Sequence, residues 1–133
     1  VKGTHPGFSH GFAATDQDTS AALATIMARL RQIGVTDEQA GGVEIALAEV
    51  VNNILEHAYS GVEPGRILLR AISAQGLLQL LLVDWGAPLP DEELPEGGFG
   101  WFLIRTLARD VRYRRANGRN HLRLTFDLIP AIT

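Results

Sequence analysis

A chain of 133 residues is long enough for one domain with a real hydrophobic core. At 46% hydrophobic and 20% charged it is globular and not disordered, no apolar run is long enough to span a bilayer, and the first residues do not read as a signal peptide. The absence of cysteine excludes disulfides, thiolate metal sites and thiol nucleophiles and fits a cytoplasmic protein, while a net charge of −3 gives no global attraction to nucleic acid. The charge is unevenly spread: seven of the twelve basic residues lie between Arg105 and Arg123, and five of the fifteen acids between Asp84 and Glu96.

Residues 1–11 carry Gly, Pro, His and Ser and read as a loose start, with a short edge strand over Gly11–Thr15. Asp16 or Asp18 can cap the first helix. In that helix Leu23, Ile26, Met27 and Leu30 recur at i, i+3, i+4 and i+7, so one face seeks a core. Gly34 suits a left-handed stop. Thr36 with Gln39 forms a capping box for a second helix that runs to about Tyr59, where Ser60-Gly61 ends it.

Within the second helix, a period near 100° per residue gathers Val43, Leu47, Val50, Val51, Ile54 and Ala58 on one side. Glu49, Asn52, Asn53 and Glu56 gather on the other, with His57 at that stripe's edge. Two adjacent asparagines are an odd choice for a helix interior, because the amide competes for backbone groups. Glu49 and Asn53 are one turn apart and point the same way. A carboxylate and an amide oxygen placed so can hold a hydroxyl and a hard cation; the same stripe also reads as a solvated polar face.

Glu63-Pro64-Gly65 is a turn. Arg66–Ala74 is a strand with Ile67, Leu69 and Ala71 facing one way, and Gln75-Gly76 turns the chain. Leu77–Val83 is a nearly continuous apolar strand suited to the centre of a sheet, and it stops at Asp84. A carboxylate there is costly without a partner. In Asp84-Trp85-Gly86-Ala87-Pro88 that partner is either a ligand amino group, approached closely at Gly86, or simply the following turn. Residues 85–98 hold three prolines, four acids and three glycines and form an irregular loop.

Gly97-Gly98-Phe99-Gly100 then runs into a third helix, Phe99–Arg109, with Phe102, Leu103, Thr106 and Leu107 on its inner side. Glycines at a helix amino end expose free N–H groups suited to phosphate, or form a flexible lead-in. The missing Lys rules out a P-loop, and the glycines do not follow a strand as a dinucleotide-binding turn requires.

Asn117-Gly118 is a two-residue hairpin turn. Counting outward pairs Arg115 with Asn120, Arg114 with His121, Tyr113 with Leu122, Arg112 with Arg123 and Val111 with Leu124. One face is then Val111, Tyr113, Leu122, Leu124 and Phe126. The other is Arg112, Arg114, Arg123 and His121, a basic strip suited either to an acidic partner or to solvent. The order β-α-α-β-β-α-β-β, with tight turns between consecutive strands, predicts an α+β two-layer sandwich. Its mostly antiparallel sheet carries three helices on one face, and the chain forms one domain over 1–133. His5, His10 and His121 show no metal-ligand spacing, no serine lies in a nucleophile elbow, and Met27, Phe8 and Phe12 read as packing residues.

Taken in order, a helical Glu-x-x-x-Asn, a strand-terminal Asp-x-Gly and a Gly-rich helix start resemble the nucleotide-binding boxes of the GHKL ATPase and kinase superfamily, with its Bergerat fold. The anti-sigma factor serine-protein kinases are the nearest likeness. Their helix motif is similar to Glu49-Val-Val-Asn-Asn53-Ile-Leu-Glu-His57-Ala58-Tyr59, and their third box to Gly98-Phe-Gly100-Trp-Phe-Leu-Ile-Arg105. The resemblance covers about Phe12 to Leu128. It implies ATP and Mg²⁺ as cofactors, with Glu49 as general base and Asn53 as the magnesium ligand. It further implies Asn52 and His57 beside the nucleotide and Asp84 accepting from the adenine amino group. Gly86 would lie against the base, and Gly98, Phe99 and Gly100 would shape the phosphate loop.

The implied activity is phosphorylation of an anti-anti-sigma protein on serine, with a sigma factor as second partner and a tendency to homodimers; no direct nucleic-acid or membrane contact is implied. The chain departs from the family at Pro88, where many members have glycine, and in a short lid up to Gly97. Where a Gly-Thr pair often precedes the last strand it has Gly118-Arg119-Asn120, and Asn120 is placed to substitute as a polar contact. Two rival readings are a partner-sequestering module without catalysis and the catalytic piece of a histidine kinase. Intact Glu49 argues against the first; the lack of a preceding dimerisation segment with a phosphoacceptor histidine argues against the second.

Overall fold

Among the described residues, five strands pair antiparallel throughout, and across the sheet they run first, second, third, fifth, fourth in chain order. The computed structural model describes residues 6–59, 65–89 and 99–128. The elements are β1 (Gly7–Ala13), α1 (Asp16–Gln32), α2 (Asp37–Asn53) with a π-helical turn over Ile54–Ala58, β2 (Arg66–Ala74), β3 (Leu77–Asp84), α3 (Phe99–Leu107), β4 (Asp110–Ala116) and β5 (Arg119–Asp127). No helix among the described residues is long and apolar enough to cross a membrane.

The sheet buries one face. Ile67, Leu69 and Ala71 of β2, Leu78, Leu80 and Leu82 of β3, and Leu122, Leu124 and Phe126 of β5 alternate inward. They form a single core with Ile26 and Leu30 of α1, Leu47, Val50 and Ile54 from α2 and its π turn, and Ile104 of α3. Each large side chain so buried contributes about 1.5–3 kcal/mol over leaving it in water. The expected two-layer α+β sandwich is therefore present. The hairpin register matches the count from Asn117-Gly118, where both turn residues have positive φ (55° and 72°).

Several boundaries differ from the sequence reading. The first strand lies earlier, over Gly7–Ala13, because its partner β2 needs Phe8, His10 and Phe12 opposite Ala71, Leu69 and Ile67. Thr15, not Asp16 or Asp18, caps α1: its hydroxyl oxygen accepts from Asp18 N at 3.0 Å, while both acids sit in the first turn where the helix dipole favours them. The Thr36–Gln39 capping box forms as expected. The α3 helix ends at Leu107, because the Arg109 N–H is already bonded to Thr125 O of β5 at 2.7 Å. Its buried residues are Trp101 and Ile104, with Ala108 just past its end, and Leu107 packs partly buried against the core as expected; Phe102 is 70% exposed and Thr106 is also exposed. Apolar residues on nearly every side of this helix left its phase open.

Candidate functional site

The strand β3 delivers Asp84 to the inner face at the sheet's end, opposite Asn120 of β5. The carboxylate is 1% exposed. Its Oδ1 accepts from Gly86 N at 2.9 Å and from Asn120 Nδ2 at 2.8 Å. Its Oδ2 is buried with no hydrogen-bond partner among the described residues. Burial pushes the Asp84 carboxyl above the ordinary carboxylate range; the Gly86 N–H, the Asn120 amide and the charges of Arg115 and His121 act in the opposite direction. A buried carboxylate oxygen without a donor is costly, so the site favours a ligand that brings an N–H to that atom.

The α2 helix ends beside it. Glu49 and Asn53 are half-buried on one stripe, Asn52 is exposed and His57 is half-buried. The Asn53 Nδ2 position is buried and lacks a partner among the described residues. The two ends of an amide exchange by a half-turn, so that position can equally hold the oxygen. Beyond Asn53 the helix widens into the π turn, and the Ala58 carbonyl accepts from Ala87 N at 2.9 Å. A Cβ on Gly86 would overlap that same carbonyl, so glycine lets the Asp84–Ala87 segment seat directly on the helix end. The fold thus brings the Asp-x-Gly segment to the end of the helix that carries the Glu-x-x-x-Asn stripe.

Phe99 and Gly100 open α3, which packs along α2. Gly98 lies outside the described residues. Trp101 is 5% exposed, and its Nε1 has no partner among the described residues. No cluster of three or more His, Asp or Glu able to hold a metal occurs among the described residues. The amide oxygen of Asn53 is a ligand atom of the kind that a hard cation takes.

Residues 12–126 match the histidine kinase-like ATPase domain family. The chain belongs to that family. As an ATPase-like domain it is 26% identical over 121 residues to the serine-protein kinase RsbW of Oceanobacillus iheyensis, across 79% of this chain and 77% of that protein. It is 29% identical over 113 residues to the anti-sigma F factor of Halalkalibacterium halodurans, across 76% of this chain and 77% of that protein. Among solved structures, the crystal structure of RsbU and RsbW domains from Mycobacterium tuberculosis superposes with a TM-score of 0.70 at 22% identity, over 92% of this chain. This chain spans only 32% of that one, and the likeness is one of fold.

Some residues that hold the segment around Asp84 carried no sequence signal for these contacts. Tyr59 read as a helix end and as the last residue of the helix motif, with no contact assigned to it, yet its hydroxyl accepts from Trp85 N at 3.0 Å and donates to Arg66 O at 2.8 Å. Burial, with a further push from Asp84, raises its pKa above the usual phenol value. Arg115 donates to Gly86 O at 2.6 Å across a sequence gap of 29 residues. Tyr113, read as an apolar-face residue, accepts from Leu89 N at 3.0 Å. Asn120 did carry a signal: a polar residue in line with Leu122 and Leu124.

Proposed function

We propose that this domain is an ATP-dependent protein serine kinase acting as an anti-sigma regulatory factor, which phosphorylates an anti-anti-sigma protein and binds a sigma factor. Residues 1–133 act as one such unit, in the cytoplasm and as a homodimer. The observation that carries the nucleotide reading is the buried Asp84 Oδ2, which has no donor among the described residues. Membership of an ATPase-domain family and similarity to named serine-protein kinases and anti-sigma factors support the rest.

In this reading Asp84 accepts from the amino group of adenine and Gly86 lies against the ring. Asn53, flanked by Asn52 and His57, offers its amide oxygen to Mg²⁺, and Gly98, Phe99 and Gly100 present N–H groups to the phosphates. Bound Mg²⁺ supplies charge neutralisation on the phosphates. Glu49 aligns the incoming serine hydroxyl and takes its proton, while the rest of catalysis is positioning.

The test separates the two halves of the stripe. Glu49→Ala removes a group that need not touch ADP. It should leave Mg²⁺–ADP affinity nearly intact and cut phosphoryl transfer by about 10²-fold or more. Asn53→Ala should lower Mg²⁺-dependent affinity and transfer together. Neither opens a core cavity, so stability should move by less than about 1 kcal/mol. Calorimetry with ADP and radiolabel transfer to a serine-bearing anti-anti-sigma protein read both effects. Wild-type transfer by Glu49→Ala would sink the kinase reading and leave a partner-sequestering module in its place.

A further inference from the structure

The β4–β5 hairpin carries a polar cluster on the inner face of the sheet, directly under Asp84. Asn120 is 0% exposed and stands opposite Asp84 on β3 and Arg115 on β4. Its amide nitrogen donates to Asp84 Oδ1 at 2.8 Å and to Ala87 O at 2.7 Å. Its amide oxygen accepts from the Tyr113 hydroxyl at 2.6 Å and from Arg115 Nη1 at 3.1 Å. The orientation of the amide is forced. A carboxylate and a carbonyl only accept, and a guanidinium only donates, so the flipped amide would face like with like on three sides.

The same three side chains also hold the chain that follows Asp84. Arg115 donates to Gly86 O, Asn120 to Ala87 O, and the Tyr113 hydroxyl accepts from Leu89 N. Asp84 Oδ1 meets two N–H groups, from Gly86 and Asn120, and neither can accept a proton from it. That oxygen therefore stays a bare acceptor, and only Oδ2 remains open.

We propose that Asn120, itself held by Tyr113 and Arg115, is the positioning residue that fixes Asp84 as an acceptor with one open oxygen. It thereby sets the preference of the site for a base bearing an exocyclic amine over one bearing a carbonyl. The proposal rests on the reading of Asp84 as the base-contacting residue. The titratable groups that act on Asp84 are Tyr59 from just past the π turn, Arg115 from β4 and, from the other face of the sheet, His121 of β5. The last two favour the carboxylate from a distance, while the two N–H donors hold it directly. Losing the Asn120 donor leaves burial less opposed.

The experiment uses the full chain with Asn120→Ala and Tyr113→Phe. The first readout needs no nucleotide: the Asp84 carboxyl is titrated by ¹³C NMR. Its midpoint should move to higher pH in both variants, further in Asn120→Ala. The second is the ratio of ATP to ITP affinity, ITP having a carbonyl where adenine has its amine. That ratio should fall about tenfold in Asn120→Ala, the weight of one well-made buried hydrogen bond. Both affinities falling in step, with the Asp84 midpoint unmoved, would reduce the cluster to scaffolding and overturn the proposal. If wild type binds neither nucleotide, the base-contact reading of Asp84 fails, and the titration alone decides whether Asn120 positions it. If Asn120→Ala does not fold, Tyr113→Phe decides, since it keeps the ring in the core and removes a single hydroxyl.

Discussion

Gly86 shows why the site tolerates so little at single positions. Its φ is not in the left-handed region, so the need for glycine is steric and not conformational. An added methyl must displace the Ala58 carbonyl or lift the segment off α2, and the Ala87–Ala58 hydrogen bond goes with it. Gly86→Ala should destabilise the fold by about 1–3 kcal/mol and weaken ADP binding at least tenfold. Denaturant unfolding and calorimetry check this; an unfolding midpoint and an ADP affinity both equal to wild type would mean the segment has room to spare. Asp84 and Gly86 were legible because an acid ending an apolar strand before Gly and Pro is a local anomaly. Tyr59 and Arg115 were not, because their work consists of reaching residues 26 and 29 positions away.

At the scale of elements, period and turn chemistry were enough for the strands. The alternation in β2 gave its buried face, and the Asn-Gly turn placed the five hairpin pairs counted from it, Arg115–Asn120 to Val111–Leu124. They failed where a segment is apolar all round, as in α3, or where pairing rather than pattern sets the limits, as in β1. The outer face of the hairpin gives a test at this scale. Arg112 and Arg123 stand opposite each other, with Arg114 and His121 one pair away, and Arg112 meets Asp110 at 3.1 Å with both groups well exposed. A cleft of about 450 Å³ runs among Arg112, Arg114, His121, Arg123 and Leu81. Burial, then Arg114 and Arg119, hold His121 below the usual histidine value. Like charges in cross-strand contact are unfavourable. Arg123→Glu should therefore stabilise the fold by about 0.2–1 kcal/mol at low salt, with the gain shrinking as salt is added. If the gain is absent, or does not depend on salt, the two guanidinium groups already avoid each other. If the strip receives an acidic partner, the same change should weaken that complex and flatten its salt dependence.

Across the whole molecule, the site and the fold pull in opposite directions. An unpaired carboxylate oxygen in the core opposes folding, and a raised carboxyl pKa fixes the sign. The folded state holds a proton on Asp84 at pH values where the unfolded chain has lost it. The contribution of Asp84 to stability is thus full below the unfolded pKa and is lost as pH rises through the folded one. Asp84→Asn keeps the acceptor for Gly86 and Asn120 and removes the charge. The nucleotide-free variant should melt about 2–4 °C higher than wild type at pH 7 and lose that advantage in acid. Its affinity for ADP should fall by roughly 1–3 kcal/mol. Scanning calorimetry with and without ADP reads both, and a variant that melts lower than wild type at pH 7 would show that Asp84 serves the fold. The sequence announces the cost of an acid ending an apolar strand, but not which of its two oxygens the fold satisfies.

The π turn over Ile54–Ala58 closes its hydrogen bonds one residue further along the chain than an α-helix does. Everything after it is rotated and advanced relative to a regular continuation of α2. The Ala58 carbonyl that receives Ala87 and the Tyr59 hydroxyl that bridges Trp85 and Arg66 both lie downstream of that step. The upstream pair, Glu49 and Asn53, stays in the phase of the ordinary helix. An alignment that matches residue types through this stretch, while ignoring its length, would put the two halves of the site out of step. What descent or redesign has to preserve between Asn53 and Tyr59 is the count of residues as much as their identity.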